Sequence, residues 1–587
     1  MKYKRKTSKV ITQNFMMELL ADRGIDTSDK DFMDKYFHPT IENENDPLLL
    51  DNVIEGAELL EQHIKNHSQI YIVVDSDVDG FTSAAVVYNI LKDEYKDYDV
   101  KINYHIPDGK EHGLETLMDI FTNEKICDLI ILPDSSSNDY EEHRILKEMG
   151  YDILILDHHN APKYSENAIV INNQLSEDYP NKHLSGVGVV YKFFEYFEKH
   201  MPTGRDYAID YIDLVAFGEI SDMMNMGTLE NRFICEYGLT HIKNNFFKLM
   251  VDSQAFSLKD NMCQDGIAWS VTPMVNALIR IGSDIEKERL FESFINPNKI
   301  VPSTKRWAKK DDVETVAAQT IRSCTNAKRH QKDMMTKAMQ LLDVQIFNNN
   351  LDSNKVIILN ADGLDIPNTL TGYCAMTVSA AYKKPVMLGR ETKDGYFRGS
   401  IRGQEESELK DFQTFLLDSG MMEYVDGHAN AAGFGIKKKF IDSLTNYSND
   451  KLKDIDFNEN YYEADFVVTG NCTYLSPLIL DIASANTIWG QGNKKPIVIS
   501  TDITIDVNDI SICGSNNDTF RFTFNNITYI KFKASDLIEQ IKPYKEKGGK
   551  INITVAGECK INRWQNQELP QIGIKEIEIK ECSVSDF

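Results

Sequence analysis

YIVVDSDVDGFTSAAVVY, residues 71–88, sets three carboxylates, Asp75, Asp77 and Asp79, on alternate positions and closes them with Gly80. A calcium loop spaced D-x-D-x-D-G needs a bidentate Glu at its twelfth position and a helix in front of it. Here the twelfth position is Val86, and Gln69–Val74 (QIYIVV) is a short β-branched and aromatic run, so the calcium loop fails on both counts. What remains is a buried strand that stops at a cluster of acids, followed by a helix predicted to begin near Thr82 or Ser83 and to run through AAVVYNILKDEY. This stretch alone leaves two readings open: an acidic turn that caps a helix, and a catalytic metal site.

Two further runs end in the same way. CDLIILPDSSSND carries Leu129–Leu132 into Asp134, and YDILILDHHNAP carries Ile153–Leu156 into Asp157, His158 and His159. Apolar strands separated by helical segments predict an α/β fold with a parallel, doubly wound sheet, whose ligands gather at the carboxyl ends of its strands. A fourth segment, YIDLVAFGEISDMMNM, is apolar from Ile212 to Ile220 and then supplies Asp222. Successive residues of a strand point to opposite faces, but at a strand end the chain turns, and His158 and His159 can both reach one site. Hard oxygen ligands with one or two imidazoles suit Mn²⁺ or Mg²⁺ better than zinc. Five or six carboxylates in one place need balancing charge, and two divalent cations about 3.5–4 Å apart, as in phosphoester hydrolases, would provide it.

The chain of 587 residues is too long for one core and should hold about three or four domains. Its 90 acids against 64 Lys and Arg give a formal charge of −26, which argues against a surface that grips nucleic acid everywhere but leaves room for a local basic groove. Such a reversal occurs from Val301 to Met339, where nine Lys or Arg face four acids. No window approaches a ~20-residue apolar span, and the basic start MKYKRKTSKVITQNF is followed by no apolar stretch, so a soluble, intracellular protein is expected. The nine cysteines form no C-x-x-C pair, which suggests neither a zinc ribbon nor a disulfide framework but reduced thiols, mostly in the core.

The order DSDVDG, strand-end Asp, DHH and later Asp resembles the DHH phosphoesterase superfamily. Flanking blocks narrow the resemblance to RecJ-like 5′-to-3′ single-strand DNA exonucleases: HLSGVGVVYKFFEYF (183–197), DLVAFGEISDMM (213–224), ENRFICEYGL (230–239), VTPMVNALIRIG (271–282), GHANAAGFGI (427–436), WGQGN (489–493) and INRWQNQELPQIGI (561–574). The resemblance runs from about residue 50 to the C-terminus.

It implies an N-terminal extension (1–50), a DHH phosphoesterase domain (51–250), a helical connector with a linker helix (251–350), a smaller α/β DHH-associated domain (351–450) and a C-terminal β-barrel of the OB-fold type (455–587). It implies Asp75, Asp77, Asp79, Asp134, His158 and Asp222 as ligands of two Mn²⁺ or Mg²⁺ ions, His159 facing the scissile phosphate and Asp157 orienting a neighbouring ligand. The implied reaction is hydrolysis of the phosphodiester near a 5′ end by metal-activated water, releasing 5′-mononucleotides, in DNA recombination, repair or replication. Substrate contacts are expected from Ser185 and Gly186, from Arg280, from Arg398, Ser400 and Arg402 in RGSIRG, and from His428 in a glycine-rich turn. In the barrel, Trp564, Phe520, Phe522, Phe524 and Tyr529 are candidate stacking platforms, with only one or two of them expected to be exposed. Single-stranded DNA is the expected partner, with a single-strand-binding protein or helicase as protein candidates, no membrane, and a monomeric cytoplasmic state.

The chain departs from the family pattern in three places. PDSSSND replaces a motif of the type VDCG, so the turn after Asp134 lacks its glycine. HIPDGKEHGL shortens a phosphate-binding loop and leaves Lys110, a point charge, near the place of an Arg. Asp426 replaces a Gly before Gly427 and His428. These changes suggest a divergent member, of the kind a virus or plasmid carries, and they put substrate preference rather than chemistry in question. Other DHH relatives cleave short oligoribonucleotides or cyclic dinucleotides, and one replication relative is a scaffold whose ligands have decayed. Here every expected ligand position is occupied.

Overall fold

The computed structural model describes all residues except 7–12, 108–111, 260, 405–406, 458, 515, 565–566 and 581–587. The chain forms two compact units. One comprises Asp29–Gln331 and Asn486–Lys494; the other comprises Met1–Ser28, Lys332–Ala485 and Lys495–Phe587.

In the first unit, five strands, β1 (Gln69–Val73), β2 (Lys101–His105), β3 (Leu129–Pro133), β4 (Asp152–Asp157) and β5 (Ile169–Asn172), pair in parallel in the order β2-β1-β3-β4-β5. Alternation of side chains gives the sheet two cores. Ile70, Ile72, Leu129, Ile131, Leu154 and Leu156 face one, while Val73, Ile130, Leu132, Ile153 and Ile155 face the other. Helices α1 (Val78–Asp93), α2 (Gly186–His200) and α3 (Ile212–Ser221) supply the first core with Phe81, Val187 and Val215. In this strand order the chain reverses direction across the sheet between β1 and β3, and the crevice at their carboxyl ends is where such folds bind ligands.

One expectation changes here. Helix α1 begins at Val78, four or five residues before the expected Thr82 or Ser83, because Asp77 caps it by accepting from Gly80 N at 3.0 Å. The acids therefore belong to the strand end, the cap and the first turn, where the helix dipole favours negative charge. The fourth apolar segment is helix α3, buried from Ile212 to Ile220, and Asp222 is its C-cap residue. Further on lie helix α4 (Thr272–Ile281) and a short antiparallel hairpin, β6 (Ile300–Pro302) and β7 (Val313–Thr315). The hairpin lies within the stretch expected to hold a helical connector and linker helix (251–350). Helix α5 (Val316–Asn348) follows and runs through the boundary between the units.

The second unit carries a five-stranded sheet of β8 (Ile357–Asn360), β9 (Val386–Glu391), β10 (Tyr396–Arg402), β11 (Met422–His428) and β12 (Ala431–Lys437), in the order β11-β12-β10-β9-β8, with helix α6 (Thr371–Tyr382) packed on β9 and β10. The C-terminal sheet has seven strands: β13 (Phe466–Thr469), β14 (Ile497–Asp506), β15 (Ser511–Cys513), β16 (Thr519–Phe524), β17 (Ile527–Lys531), β18 (Lys550–Trp564) and β19 (Gln567–Lys580), in the order β13-β14-β18-β19-β17-β16-β15. Of its aromatic platform candidates, Phe520, Phe522 and Tyr529 are core residues, with the Phe522 and Tyr529 rings stacked at 4.7 Å, and Phe524 is half-buried. Stacking on bases is thus withdrawn for those three. The N-terminal strand Lys2–Arg5 pairs in parallel with Tyr461–Ala464. Among the described residues the cysteines are free thiols, six of them buried, and no helix is long and apolar enough to cross a membrane.

Candidate metal centre

The crevice at the ends of β1, β3 and β4 gathers the acids. Three groups have ligand atoms within 4.8 Å of one another and could hold a metal ion: Asp75, Asp77 and Asp134; Asp79, His158 and Asp222; and Asp134, His158 and His159. All six expected ligands fall in these groups, so three strand ends and the C-cap of α3 deliver them to one place.

The chain makes room for the cluster by omitting side chains. A Cβ on Gly80 would lie 2.5 Å from Asp75 Cβ and 2.7 Å from its backbone, and a Cβ on Gly186 would lie 2.4 Å from Asp134 Cβ and Oδ1. After β3, where a glycine-based turn was expected to be missing, Asp134 and Ser136 themselves adopt left-handed backbone at φ 65° and 76°. Asp tolerates that region and Ser less so, which marks the turn as locally strained.

Donors fix individual members. Asp79 accepts from Ser185 Oγ (3.2 Å), Gly186 N (2.7 Å) and Val187 N (3.1 Å) at the start of α2. Ser185 and Gly186, expected at the substrate, direct these donors to a ligand candidate, and both are buried. Asp157 accepts from His158 N (2.7 Å), His159 N (3.2 Å), Ser137 N (3.1 Å) and, if that nitrogen carries the proton, His159 Nδ1 (2.7 Å). It therefore sets the turn that aims both histidines. Two contributors were missed in the sequence: His112, whose Nδ1 lies 2.8 Å from Asp75 Oδ1, and Glu219, buried and accepting from Ser185 N at 3.0 Å. His112 lies two residues beyond Lys110 in the shortened loop, and its imidazole was the available signal.

The charges conflict. Burial first, then the neighbouring acids, push Asp134 and Asp222 well above the usual carboxylate range and Asp79 up to about 7. Burial also raises Asp75 against the pull of His112. Burial and the nearby His159 lower His158 to about 4, whereas burial of His159 is outweighed by Asp157, which lifts it to about 10. Asp134 Oδ1 is buried and accepts no hydrogen bond, although His158 Nε2 lies 3.2 Å away. A neutral imidazole beside an orphaned carboxylate oxygen and mutually repelling acids fits a divalent cation, whose charge would reverse the repulsion.

The remaining candidates lie elsewhere. Arg280 is exposed on the last turn of α4. In the second unit Arg398, Ser400 and Arg402 alternate along β10 and share one face. Their cross-strand partners on β12 are Gly435, Gly433 and Ala431, and His428 on β11 lies opposite Ala431. Small residues thus floor a strip bordered by arginines, a serine and a histidine. Arg398 pairs with Asp394 at 3.0 Å, and Ser400 Oγ lies 3.3 Å from Thr371 Oγ1 at the start of α6. Lys110 lies outside the described residues, as does the side chain of Trp564 at the end of β18.

The profile of the DHH family, N-terminal domain, matches residues 69–218, and that of the RecJ OB domain matches residues 471–576. The SPbeta prophage-derived single-strand DNA-specific exonuclease YorK of Bacillus subtilis is 34% identical over 534 residues, covering 90% of this chain and 91% of that protein. The single-stranded-DNA-specific exonuclease RecJ of the same organism is 25% identical over 603 residues, covering 100% of this chain and 70% of that protein. The crystal structure of RecJ from Thermus thermophilus in complex with Mn²⁺ shares the fold at a TM-score of 0.66 and 17% identity, over 91% of this chain and 72% of that one.

Proposed function

The chain belongs to the RecJ-like branch of the DHH family, and from that premise we propose that it is a metal-dependent exonuclease that degrades single-stranded DNA from the 5′ end to 5′-mononucleotides. The observation that carries the reading is the convergence of Asp75, Asp77, Asp79, Asp134, His158 and Asp222 on the β1/β3 crevice, with a buried carboxylate oxygen left without a donor.

We assign those six residues as ligands of two Mn²⁺ or Mg²⁺ ions. When bound, such ions activate water and stabilise the attacking and leaving oxygens of a phosphodiester. The protein's own part is positioning and charge. His158, lowered to about 4, is neutral near pH 7 and can offer a ring nitrogen. His159, raised to about 10, stays charged, and with Nδ1 engaged by Asp157 its Nε2 can donate to a phosphate oxygen. Asp157 acts through both histidines as a positioning residue. Ser185 and Gly186 hold Asp79 in its rotamer. In the other unit the strip formed by Arg398, Ser400, Arg402 and His428 is the proposed phosphate-binding face, and Lys110 and Arg280 are proposed phosphate contacts.

The test is digestion of a labelled strand with free or blocked 5′ and 3′ ends in Mn²⁺, in Mg²⁺ and in chelator. Metal-dependent release of mononucleotides from free 5′ ends is expected. Release from 3′ ends, or preference for short oligoribonucleotides or cyclic dinucleotides over long single strands, would overturn the substrate assignment.

A further inference from the structure

The β6–β7 hairpin belongs to the same unit as the acid cluster, yet none of its residues is in a group that could hold a metal. Its tip reads KRWAKK, Lys305–Lys310. Trp307 there is 83% exposed, and the Arg306 guanidinium lies 5.1 Å from its ring centroid. Lys305, Arg306, Lys309 and Lys310 are exposed and have no ion pair among the described residues. The acids that follow do not neutralise them by contact: Asp312 accepts from Lys309 N at 2.8 Å, inside the loop.

The tip is braced from within and from below. Backbone bonds close it from Ser303 N to Asp312 O (2.8 Å), Ala308 N to Lys305 O (3.0 Å) and Asp312 N to Lys309 O (3.1 Å). At its base Glu314 takes both arms of Arg322, at 2.6 and 2.5 Å, and accepts from Thr304 N at 2.9 Å. Gln319 of α5 donates to Pro302 O and Thr304 Oγ1. An indole held out in water on a braced loop, ringed by unpaired cations in a chain of charge −26, is poorly explained by folding. It has the two elements of a single-strand nucleic-acid platform, a π-face for a base and cations for phosphates.

We propose that the hairpin tip is a second contact for the single strand, apart from the metal cluster: a base stacks on Trp307 while Lys305, Arg306, Lys309 and Lys310 take the flanking phosphates. The proposal rests on the reading of the chain as a single-strand nuclease. A platform outside the cluster would hold the substrate between cleavage events.

The experiment measures binding of the full chain to a labelled thymidine oligonucleotide by anisotropy, in chelator so that no cleavage occurs, across a salt series. Trp307→Ala should weaken binding about tenfold, and Trp307→Phe should restore most of it, since stacking needs only an aromatic face. Replacing the four cations by Gln should reduce the slope of log affinity against log salt by roughly 2 to 3. Trp269→Ala, which removes another exposed indole, should change nothing. Unchanged binding in Trp307→Ala, an equal loss in Trp269→Ala, or tip-dependent binding to anionic vesicles in place of the oligonucleotide would overturn the proposal. Its failure is separable from that of the nuclease reading. Cleavage with tip-independent binding removes the platform alone, and tip-dependent binding without cleavage removes the nuclease alone.

Discussion

Two buried carboxylates, Glu230 and Asp134, lie in the same unit and are treated in opposite ways. Glu230, 2% exposed, accepts from Asn45 N and Nδ2, Tyr179 and Asn181, with Lys192 Nζ 3.6 Å away. Asp134, equally buried, has one oxygen with no donor and acids for neighbours. Burying a charge costs several kcal/mol unless it is paired and hydrogen-bonded. Glu230 meets that cost within the chain through its donors. Asp134 leaves it unmet, as expected of a residue assigned to a metal.

The contrast can be broken or sharpened in several ways. The largest effect should come from Asp77→Ala or His158→Ala, which should lower metal-dependent nucleotide release by about 10³-fold or more; melting in chelator should be nearly unchanged for His158→Ala and lowered by about 1 kcal/mol for Asp77→Ala, which removes the cap of α1. Full activity in either purified variant would remove the metal centre from the chemistry. Glu230→Ala should do the reverse, costing about 1–3 kcal/mol of stability by leaving its buried donors without an acceptor; a neutral result in denaturant titration would end the distinction.

Next in size, Mn²⁺ at a hundred times its dissociation constant should stabilise the wild-type protein by ~2.7 kcal/mol. Asp134→Asn should lose that gain and, in chelator, be more stable than wild type by ~1 kcal/mol. Calorimetry with and without metal reads both effects.

The pH dependence has a definite sign. Asp79 is held at about 7 in the fold against 3.8 when free, so the metal-free folded state binds more protons than the unfolded chain between these values. The site's contribution to stability should therefore fall as pH rises from about 4 to about 7, and saturating Mn²⁺ should flatten the decline. A metal-independent slope would count against the assignment. The smallest expected effects are those of Arg402→Ala and Lys110→Ala, which should weaken use of 5′-phosphorylated ends severalfold more than 5′-hydroxyl ends. Equal losses would remove both residues from end recognition.

Much of the first sheet was legible because β1, β3 and β4 are buried on both faces and read as continuous apolar runs. The acids at their ends were legible for the same reason, since a polar residue directly after such a run stands out. Less regular signals failed. Strand β11 (MEYVDGH) is mostly exposed, so its pattern resembled a loop. Lys2–Arg5 has no local cue for pairing with Tyr461–Ala464, a contact between opposite ends of the chain. Composition could not separate core from platform aromatics: Phe520 and Phe522 are inside, whereas Trp307, passed over within the basic segment, is outside. The start of α1 was misplaced because Asp77 and Gly80 are turn residues and also good residues for a helix beginning.

The segment Asn486–Lys494 lies far along the chain, yet it belongs to the unit that holds the acids. There Trp489 is 1% exposed, Gln491 O accepts from Met226 N at 2.7 Å, and Gln264 donates to Thr487 O at 3.1 Å. During vectorial synthesis the ribosome must therefore reach residue 494 before the unit that holds the acids can finish its interior. A fragment cut off after α5 would lack buried Trp489 and the Gln491 acceptor of Met226 N, so the unit that holds the acids is not an excisable module.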